Sequence, residues 1–209
     1  KFPAEWRVQG TSGYDFLAIV NNLFTNKNTG NEFTLFYQQL SGDEKQLHEQ
    51  IREKKSYILY HHMQGELDNL YTLFMQLVEP ESYGGMRTED IKTAIAEFLI
   101  HCPVYRFYGN ALPFIELEIK NIREVFNSIL ITRPDLSAAV SLLEKVLLIQ
   151  PSENSADQND AILHFYKRCM QFSGPLMAKG VEDTLMYTYN RFIAHNEVGD
   201  SPESFGYSV

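Results

Sequence analysis

The sequence is poor in cysteine and has no long apolar run. Its two cysteines, Cys102 and Cys169, lie far apart and form no CxxC motif, which indicates reduced thiols in a reducing compartment. No stretch approaches the roughly 18 apolar residues of a membrane-spanning helix. The opening residues, Lys1–Glu5, lack the pattern of a signal peptide. These features predict a soluble, cytoplasmic chain with no membrane partner.

Basic residues and catalytic motifs are also scarce. The chain has 18 Lys and Arg against 27 Asp and Glu, a formal net charge of −9, and an acidic surface repels nucleic acid. No GxSxG, Walker A or GxGxxG motif occurs. The adjacent His61 and His62 would point about 100° apart on a helix, so they predict no metal site. No cofactor is expected.

Strand signals are rare, and helical periodicity dominates. The one convincing β-rich run is Val104–Tyr108, bounded by Pro103 and Gly109, and we expect its partner strand to lie outside this chain. Elsewhere apolar residues recur mostly every three, four or seven positions. The predicted fold is all-α, an irregular helical array with one or two short strands.

Capping and breaking residues set the expected helix limits. The longest helix would run from Asp43 to Val78 if unbroken, and Gly65 is its weak point. Thr88 caps a second helix that ends at His101. The remaining helices are expected to begin near Pro113, at Pro134, at Ser155 or Asp157, and after Gly180.

Aromatic residues are abundant, at 13% of the chain. A large core with half-buried tyrosines accounts for this composition. Alternatively, some rings form flat platforms for a neutral ligand such as a sugar. The net negative charge favours a neutral or cationic ligand over an anionic one.

Two stretches combine small residues with polar ones. In Gly10–Phe16, Tyr14 and Asp15 stand where a helix should begin. In Ser173–Thr184, glycine and proline predict an irregular bend that carries three charged side chains: Lys179, Glu182 and Asp183. Both stretches can serve as helix caps, because carboxylates are favoured in a first helical turn. Both also offer donors and acceptors for sugar hydroxyls.

These stretches resemble maltooligosyltrehalose synthase, a family of α-amylase-type (β/α)8 glucan mutases. The resemblance rests on Gly10–Phe16, Cys102–Arg106, Gly174–Thr184 and Tyr187–Gly206. It is dense over about residues 6–24 and 161–208, and patchy over 54–73 and 97–108. Three positions depart from the family pattern: Cys102 replaces Phe, Phe107 replaces Thr, and Asp200 follows Gly199 in place of a second Gly.

The resemblance implies the rearrangement of a reducing-end α-1,4 bond of a maltooligosaccharide into an α,α-1,1 bond. A retaining reaction of this kind needs two carboxyl groups about 5–5.5 Å apart. Glu182 and Asp183 are adjacent and should diverge, and the family's catalytic carboxylates lie outside this chain. The resemblance therefore implies an internal fragment without catalytic residues, inactive alone, in which residues 25–160 form a helical insertion and 1–24 and 161–209 adjoin the barrel.

The fragment would exclude water with its helical cap and hold the freed glucose through fixed hydroxyl contacts. The resemblance and the local chemistry together predict these substrate-binding residues: Tyr14, Asp15, Arg106, Lys179, Glu182 and Asp183. The expected partners are a maltooligosaccharide and the remainder of the parent barrel. The competing hypothesis is a helical interaction or scaffold module without sugar binding.

Overall fold

A computed structural model describes residues 7, 9, 13–148, 152 and 154–207. The chain divides into two compact units: a terminal unit, which comprises the described residues up to Lys54 and from Lys179 onward, and a central unit, Lys55–Ala178. The regular structure of the described residues is entirely helical. The predicted all-α fold is thus confirmed. None of the helices in this described part is long and apolar enough to cross a membrane.

Eight principal α-helices follow one another along these described residues. They are α1 (Tyr14–Leu23), α2 (Gly30–Ser41), α3 (Leu47–His62), α4 (Gln64–Met75), α5 (Thr88–His101), α6 (Glu116–Thr132), α7 (Ser137–Leu147) and α8 (Ala156–Met177). A π-helical segment, Ala178–Leu185, and a short α-helical turn, Met186–Thr188, continue from α8. Short 3-10 turns lie at Lys27–Thr29, Pro80–Tyr83, Pro134–Leu136 and Ile193–His195.

Helix α5 forms the middle of the central unit. It packs against α4, α6, α7 and α8. Because it meets neighbours on several sides, its buried residues are not confined to one stripe: Ile91, Ala94, Ile95, Ala96, Phe98, Leu99 and Ile100. Phe98 meets Phe126 of α6 with ring centroids 5.3 Å apart. This dense apolar core is what the helical periodicity predicts.

The single helix predicted over Asp43–Val78 is wrong, because the structure has two helices there. Met63 leaves the helical conformation, with φ −133° and ψ 27°, between the end of α3 and the start of α4. The break lies two residues before Gly65, the residue that most weakens a helix interior apart from proline. A fresh start at Gln64 lets α4 bury Leu67, Leu70 and Phe74.

The short strand predicted at Val104–Tyr108 is also wrong. The segment is irregular, and helix side chains bond its backbone in place of a neighbouring strand. Ser173 Oγ donates to Tyr105 O at 2.6 Å, and Phe107 N donates to Met170 Sδ at 3.2 Å. A strand needs a partner with free backbone groups, and the helices around this segment offer only side chains.

The bend predicted within Ser173–Thr184 is helical instead. Helix α8 continues through Gly174 and Pro175 to Met177, and the π-helical segment follows directly. Met170, Ser173 and Leu176 recur every three residues and are all buried. Their burial stabilises the helix enough to outweigh the backbone hydrogen bond that Pro175 removes.

The terminal unit buries far less of its apolar surface. Helix α2 has no buried residue, and α1 buries only Ala18 and Asn22. Large apolar side chains on and after these helices are instead exposed, among them Phe16, Leu23, Phe24, Leu35, Phe36 and Leu40. A small aromatic cluster holds the unit together: Phe33, Phe192 and Phe205 have ring centroids 5.3–5.4 Å apart.

Candidate functional site

The predicted site residues fall in both units. The terminal unit contains five of the six, namely Tyr14, Asp15, Lys179, Glu182 and Asp183, whereas Arg106 belongs to the central unit. Residues 10–12 of the first motif lie outside the described residues. The six predicted residues therefore do not all belong to one unit.

The first motif packs against the last one. Helix α1 begins at Tyr14, as predicted, after Gly13 with φ 128°. Gly199, with φ +89°, lies so close to Tyr14 that a Cβ at Gly199 would stand 2.6 Å from Tyr14 Cβ. Only glycine suits both this conformation and this approach. The contact joins Gly10–Phe16 to Tyr187–Gly206, two stretches that carry the family resemblance.

Lys179 and Asp183 form an ion pair at the surface. Lys179 Nζ lies 2.6 Å from Asp183 Oδ2, and their side chains are 59% and 53% exposed. Thr184 Oγ1 donates to Lys179 O at 2.7 Å, across the wide turn of the π-helical segment. Such π-helical turns occur often at functional sites. An exposed pair of this kind contributes only about 0–1 kcal/mol to stability. Because both side chains are exposed, their charges remain accessible to a polar ligand.

Glu182 is electrostatically coupled to a residue that the sequence analysis missed. Partial burial raises the pKa of Glu182, and the nearby Asp183 and Glu197 carboxylates raise it further. A carboxyl group with a raised pKa donates as well as accepts hydrogen bonds over a wider pH range. Glu197 belongs to the Asn-Glu-Val-Gly stretch that carries part of the family resemblance, and this stretch is the sequence feature from which Glu197 could have been predicted.

Arg106 lies in the irregular segment that replaces the predicted strand. Its guanidinium stands 5.0 Å from the centroid of the Tyr108 ring, a cation–π arrangement. Arg106 and the neighbouring Tyr105 are exposed, whereas Phe107 is buried. The departure from the family pattern at Phe107 thus places an apolar ring in the core. Arg106 remains a candidate contact on the central unit alone.

A buried polar cluster surrounds His195 in the terminal unit. His195 is fully buried, and its Nδ1 lies 2.7 Å from Asp200 Oδ2. Asn22 Nδ2 also donates to Asp200, at 3.1 Å. Burial alone would raise the pKa of Asp200, but hydrogen bonds from His195, the Ser201 backbone and Ser204 outweigh it and lower that pKa. Asp200 is one of the departures from the family pattern, and the structure gives it this role.

A second buried polar group lies in the central unit. Lys55 is fully buried, and its Nζ donates to Cys102 O, just after α5, at 2.9 Å. Burial lowers the pKa of Lys55 to about 8. Burial also raises the pKa of the Cys102 thiol, which makes this cysteine a poor nucleophile. Neither Lys55 nor its contact was recognisable from sequence.

A chain of polar contacts links α5 to α6 through Glu97, His101 and Ser128. Ser128 Oγ lies 2.8 Å from His101 Nδ1, and His101 Nε2 lies 3.3 Å from Glu97 Oε2. Their order is that of a nucleophile, a base and an acid. However, Ser128 lies within α6, whose backbone N–H groups bond to carbonyls of the same helix and form no oxyanion hole. These three side chains therefore connect two helices and do not form a catalytic site.

The described residues contain no group of three or more His, Cys, Asp or Glu side chains placed to hold a metal ion. The chemistry of the terminal unit is instead that of hydrogen bonding. Its described residues include the exposed pair of Lys179 and Asp183, the half-buried carboxyl group of Glu182 and the exposed Tyr14 ring. Such groups suit a neutral polyhydroxylated ligand.

Comparisons with known proteins find similarity in solved structures. No family model matches the chain, and no curated protein matches it either. Maltooligosyltrehalose synthase from Arthrobacter ramosus is similar over 99% of this chain, with 26% identity and a TM-score of 0.77. The DSM5389 glycosyltrehalose synthase is similar over 100% of it, with 27% identity and a TM-score of 0.66.

A hypothetical maltooligosyl trehalose synthase from Sulfolobus tokodaii shares the fold, with 24% identity, a TM-score of 0.64 and 99% of this chain covered. These matches take up 22–24% of the length of the three synthases, so the chain spans about a quarter of each. The resemblance inferred from the motifs is confirmed: over nearly its whole length the chain is similar to about a quarter of a maltooligosyltrehalose synthase.

Proposed function

We propose that this chain is a helical part of an enzyme that moves the reducing-end α-1,4 linkage of a maltooligosaccharide to an α,α-1,1 linkage by intramolecular transglucosylation. The chain would supply substrate contacts and exclude water, while the catalytic carboxylates lie elsewhere in the parent protein. The observation that carries this proposal is the similarity to trehalose-forming synthases over 99–100% of the chain. We further propose that the chain alone is inactive.

The terminal unit supports a role at the substrate. It brings Tyr14 next to the Gly199 turn and couples Glu182 to Glu197. The Glu182 carboxyl group can accept from a glucose hydroxyl, and the exposed Lys179 and Asp183 can donate and accept beside it. The Tyr14 ring, 51% exposed, offers an apolar face to a sugar ring. These groups would keep the released glucose close to the intermediate.

The exposed apolar surface of α1 and α2 supports a further proposal about the parent protein. Contiguous apolar patches on a protein surface mark interaction sites. We assign this surface to contact with the remainder of a (β/α)8 barrel, with residues 1–24 and 161–209 adjoining the barrel and 25–160 forming the insertion. A cytoplasmic location without a nucleic-acid partner stays a prediction.

Maltopentaose binding tests the substrate role. In NMR titrations of the 209-residue chain and of the parent protein, we expect the sugar to shift signals of Tyr14, Glu182 and Lys179. Tyr14→Ala should weaken binding about tenfold or more, the effect of losing roughly 1.4 kcal/mol. Tyr57→Ala is the matched control, because Tyr57 is 50% exposed and Tyr14 is 51% exposed. Equal effects of the two substitutions would contradict the assignment of Tyr14.

Activity of the parent protein tests the assignment of Lys179. Lys179→Ala should lower mutase efficiency roughly ten- to a hundredfold if its ammonium holds the freed glucose, because a charged hydrogen bond contributes about 1.5–3 kcal/mol. Release of free glucose should rise relative to trehalose-end formation. An unchanged ratio with a near-normal rate would leave Lys179 as the partner of Asp183 only.

The alternative is a helical interaction or scaffold module without sugar binding. The exposed side chains of α1 and α2 favour it, because such a module needs an apolar docking surface. It predicts that neither this chain nor its parent binds maltopentaose, whereas substitutions of Phe36 or Leu40 abolish a protein complex. The maltopentaose titration therefore distinguishes the two hypotheses.

A further inference from the structure

The ring of His195 is enclosed by protein on every side. It lies in the 3-10 turn Ile193–His195 and has no exposed surface. Phe192 and Phe205 flank it, with ring centroids 5.4 Å and 6.2 Å from the imidazole. The two ring nitrogens must therefore find their hydrogen-bond partners within the protein.

The first nitrogen, Nδ1, faces an ionised carboxylate. It lies 2.7 Å from Asp200 Oδ2, which also accepts from Asn22 Nδ2 at 3.1 Å, while Asp200 Oδ1 accepts from Ser201 N at 2.8 Å. The lowered pKa of Asp200 is consistent with this set of donors. A carboxylate is an acceptor only, so Nδ1 carries a hydrogen.

The second nitrogen, Nε2, lies 3.1 Å from Thr25 Oγ1. A threonine hydroxyl has a single hydrogen to donate, and Thr25 Oγ1 donates it to Asn21 O at 2.8 Å. The same oxygen is thus left to accept from the imidazole. Both ring nitrogens then carry hydrogens, which makes the ring an imidazolium cation.

We propose that His195 is a positively charged positioning residue, which fastens the turn Asn196–Gly199 to the segment just after α1 through one N–H bond to Asp200 and another to Thr25. His195 and Asp200 stand at the two ends of this turn, and Asp200 N donates to Glu197 O at 3.0 Å. The turn carries Glu197, the carboxylate that raises the pKa of Glu182. Fixing the turn fixes that pair of carboxylates.

The charges around the ring are consistent with a cation at this position. Charged residues on the packed segments are Asp15 on α1, Lys27 after it, Arg191 before the turn, Glu197 within it, and Asp200 and Glu203 beyond it. Among the described residues, Asp200 is the charged group in contact with the ring. Arg191 directs its Nη2 to the carbonyls of Pro202, Glu203 and Ser204, so it does not compete for Asp200.

NMR of the 209-residue chain with ¹⁵N-labelled histidine tests the inference. Near neutral pH we expect two ring N–H signals from His195 that are protected from exchange with water, one coupled to each ring nitrogen. The exposed ring of His48 gives neither signal, because its hydrogens exchange freely. A single protected N–H in the wild-type chain would identify a neutral ring and overturn the proposal.

The Asp200→Asn substitution tests whether the charge of Asp200, and not packing alone, keeps His195 positively charged. It removes the negative charge that stabilises the imidazolium, so we expect only one of the two protected ring N–H signals to remain. Asn22 keeps its bond to Ala18 O at 2.9 Å, which favours a folded variant. Retention of both ring signals in Asp200→Asn would contradict the role of the carboxylate.

Amide exchange measures the positioning itself. His195→Gln should speed exchange of the Asp200 and Gly206 amides at least tenfold, while amides of α5 in the central unit stay unchanged. His48→Gln is the matched control and should change neither. Unchanged exchange in His195→Gln would overturn the positioning role. None of these measurements uses a glucan, so their outcome tests the inference independently of the proposed function.

Discussion

The central and terminal units are stabilised in different ways. The central unit surrounds α5 with apolar side chains and has few buried polar groups. Lys55 and Ser173 donate to backbone carbonyls, and Glu118 accepts from Gly109 N and the Tyr166 hydroxyl. The terminal unit has short helices with exposed apolar faces, and polar side chains such as His195 and Arg191 hold its irregular segments. The comparison shows that burial of apolar area stabilises one unit, whereas specific hydrogen bonds shape the other.

The largest expected effect comes from the central core. Phe98→Ala should lower the free energy of unfolding by about 3–5 kcal/mol, because Phe98 is fully buried and its removal leaves a cavity. Urea denaturation measures this loss. Phe36→Ala in α2 is the control, and with 64% of Phe36 exposed it should change stability by about 0.5 kcal/mol or less. Similar losses for the two would remove the contrast between the units.

The next effect depends on pH and concerns Lys55. The pKa of Lys55 is about 8 in the folded chain and has its ordinary value of 10.5 in the unfolded chain. Between these two pH values the unfolded chain therefore binds more protons than the folded chain. Stability should therefore rise with pH over that range, by about 3 kcal/mol in total from this group. Below about pH 8 its contribution is constant.

Lys55→Met should abolish this rise, measured as the difference between wild-type and variant denaturation curves at several pH values. Lys54→Met, at the neighbouring position, should retain it. A rise that persists in Lys55→Met would mean that another group causes it.

A smaller effect is expected in the terminal unit. Arg191→Ala removes bonds from one guanidinium to the carbonyls of Pro202, Glu203 and Ser204. We expect a local loss of about 2 kcal/mol, because hydrogen bonds to charged groups contribute roughly 1.5–3 kcal/mol. Faster exchange of the Gly206 amide would report it. Arg123→Ala, which breaks only an exposed pair with Glu144, should leave that amide unchanged.

The coupling of Glu182 to Glu197 gives a still smaller effect. Glu197→Gln should lower the pH at which Glu182 titrates, because one of the charges that raise its pKa is gone. A ¹³C titration of the side-chain carboxyl measures this shift. Glu203→Gln is the control, and a shift of equal size there would argue against a specific pair.

The smallest effect on stability should come from the exposed pair of Lys179 and Asp183. Lys179→Ala should change the free energy of unfolding by about 1 kcal/mol or less. Lys120→Ala, which breaks the exposed pair with Glu124, should change it by a similarly small amount. Chemical denaturation measures both. A loss above about 2 kcal/mol at Lys179 would mean that the pair has a structural role beyond the surface.

Several helices were predictable because their ends carry local signals. Helix α5 spans Thr88–His101, the predicted limits, and a proline follows its end. The predicted Thr88 cap is wrong, however, because the N-cap is Arg87 and no side chain caps the helix. Ser155 caps α8 in a capping box with Gln158, at one of the two predicted starts. These signals act within four residues of one another, so no tertiary contact is needed to interpret them.

Two of the incorrect predictions concern segments whose conformation depends on distant residues. The run Val104–Tyr108 has strand propensity, but Ser173 and Met170 of α8 bond its backbone. Pro175 indicates a helix end, but burial of Met170 and Leu176 keeps α8 helical. Local propensities differ by about 1 kcal/mol, which tertiary packing readily outweighs.

The amino-acid sequence by itself determined the all-α class, most helix ends and the motifs that resemble a trehalose-forming synthase, because periodicity, caps and short motifs are local properties. Only the tertiary structure decided which polar groups meet. His195 and Thr25 are 170 positions apart, and Lys55 and Cys102 are 47 apart. A buried hydrogen bond depends on the distance and direction between two atoms, and the fold of the intervening chain sets both.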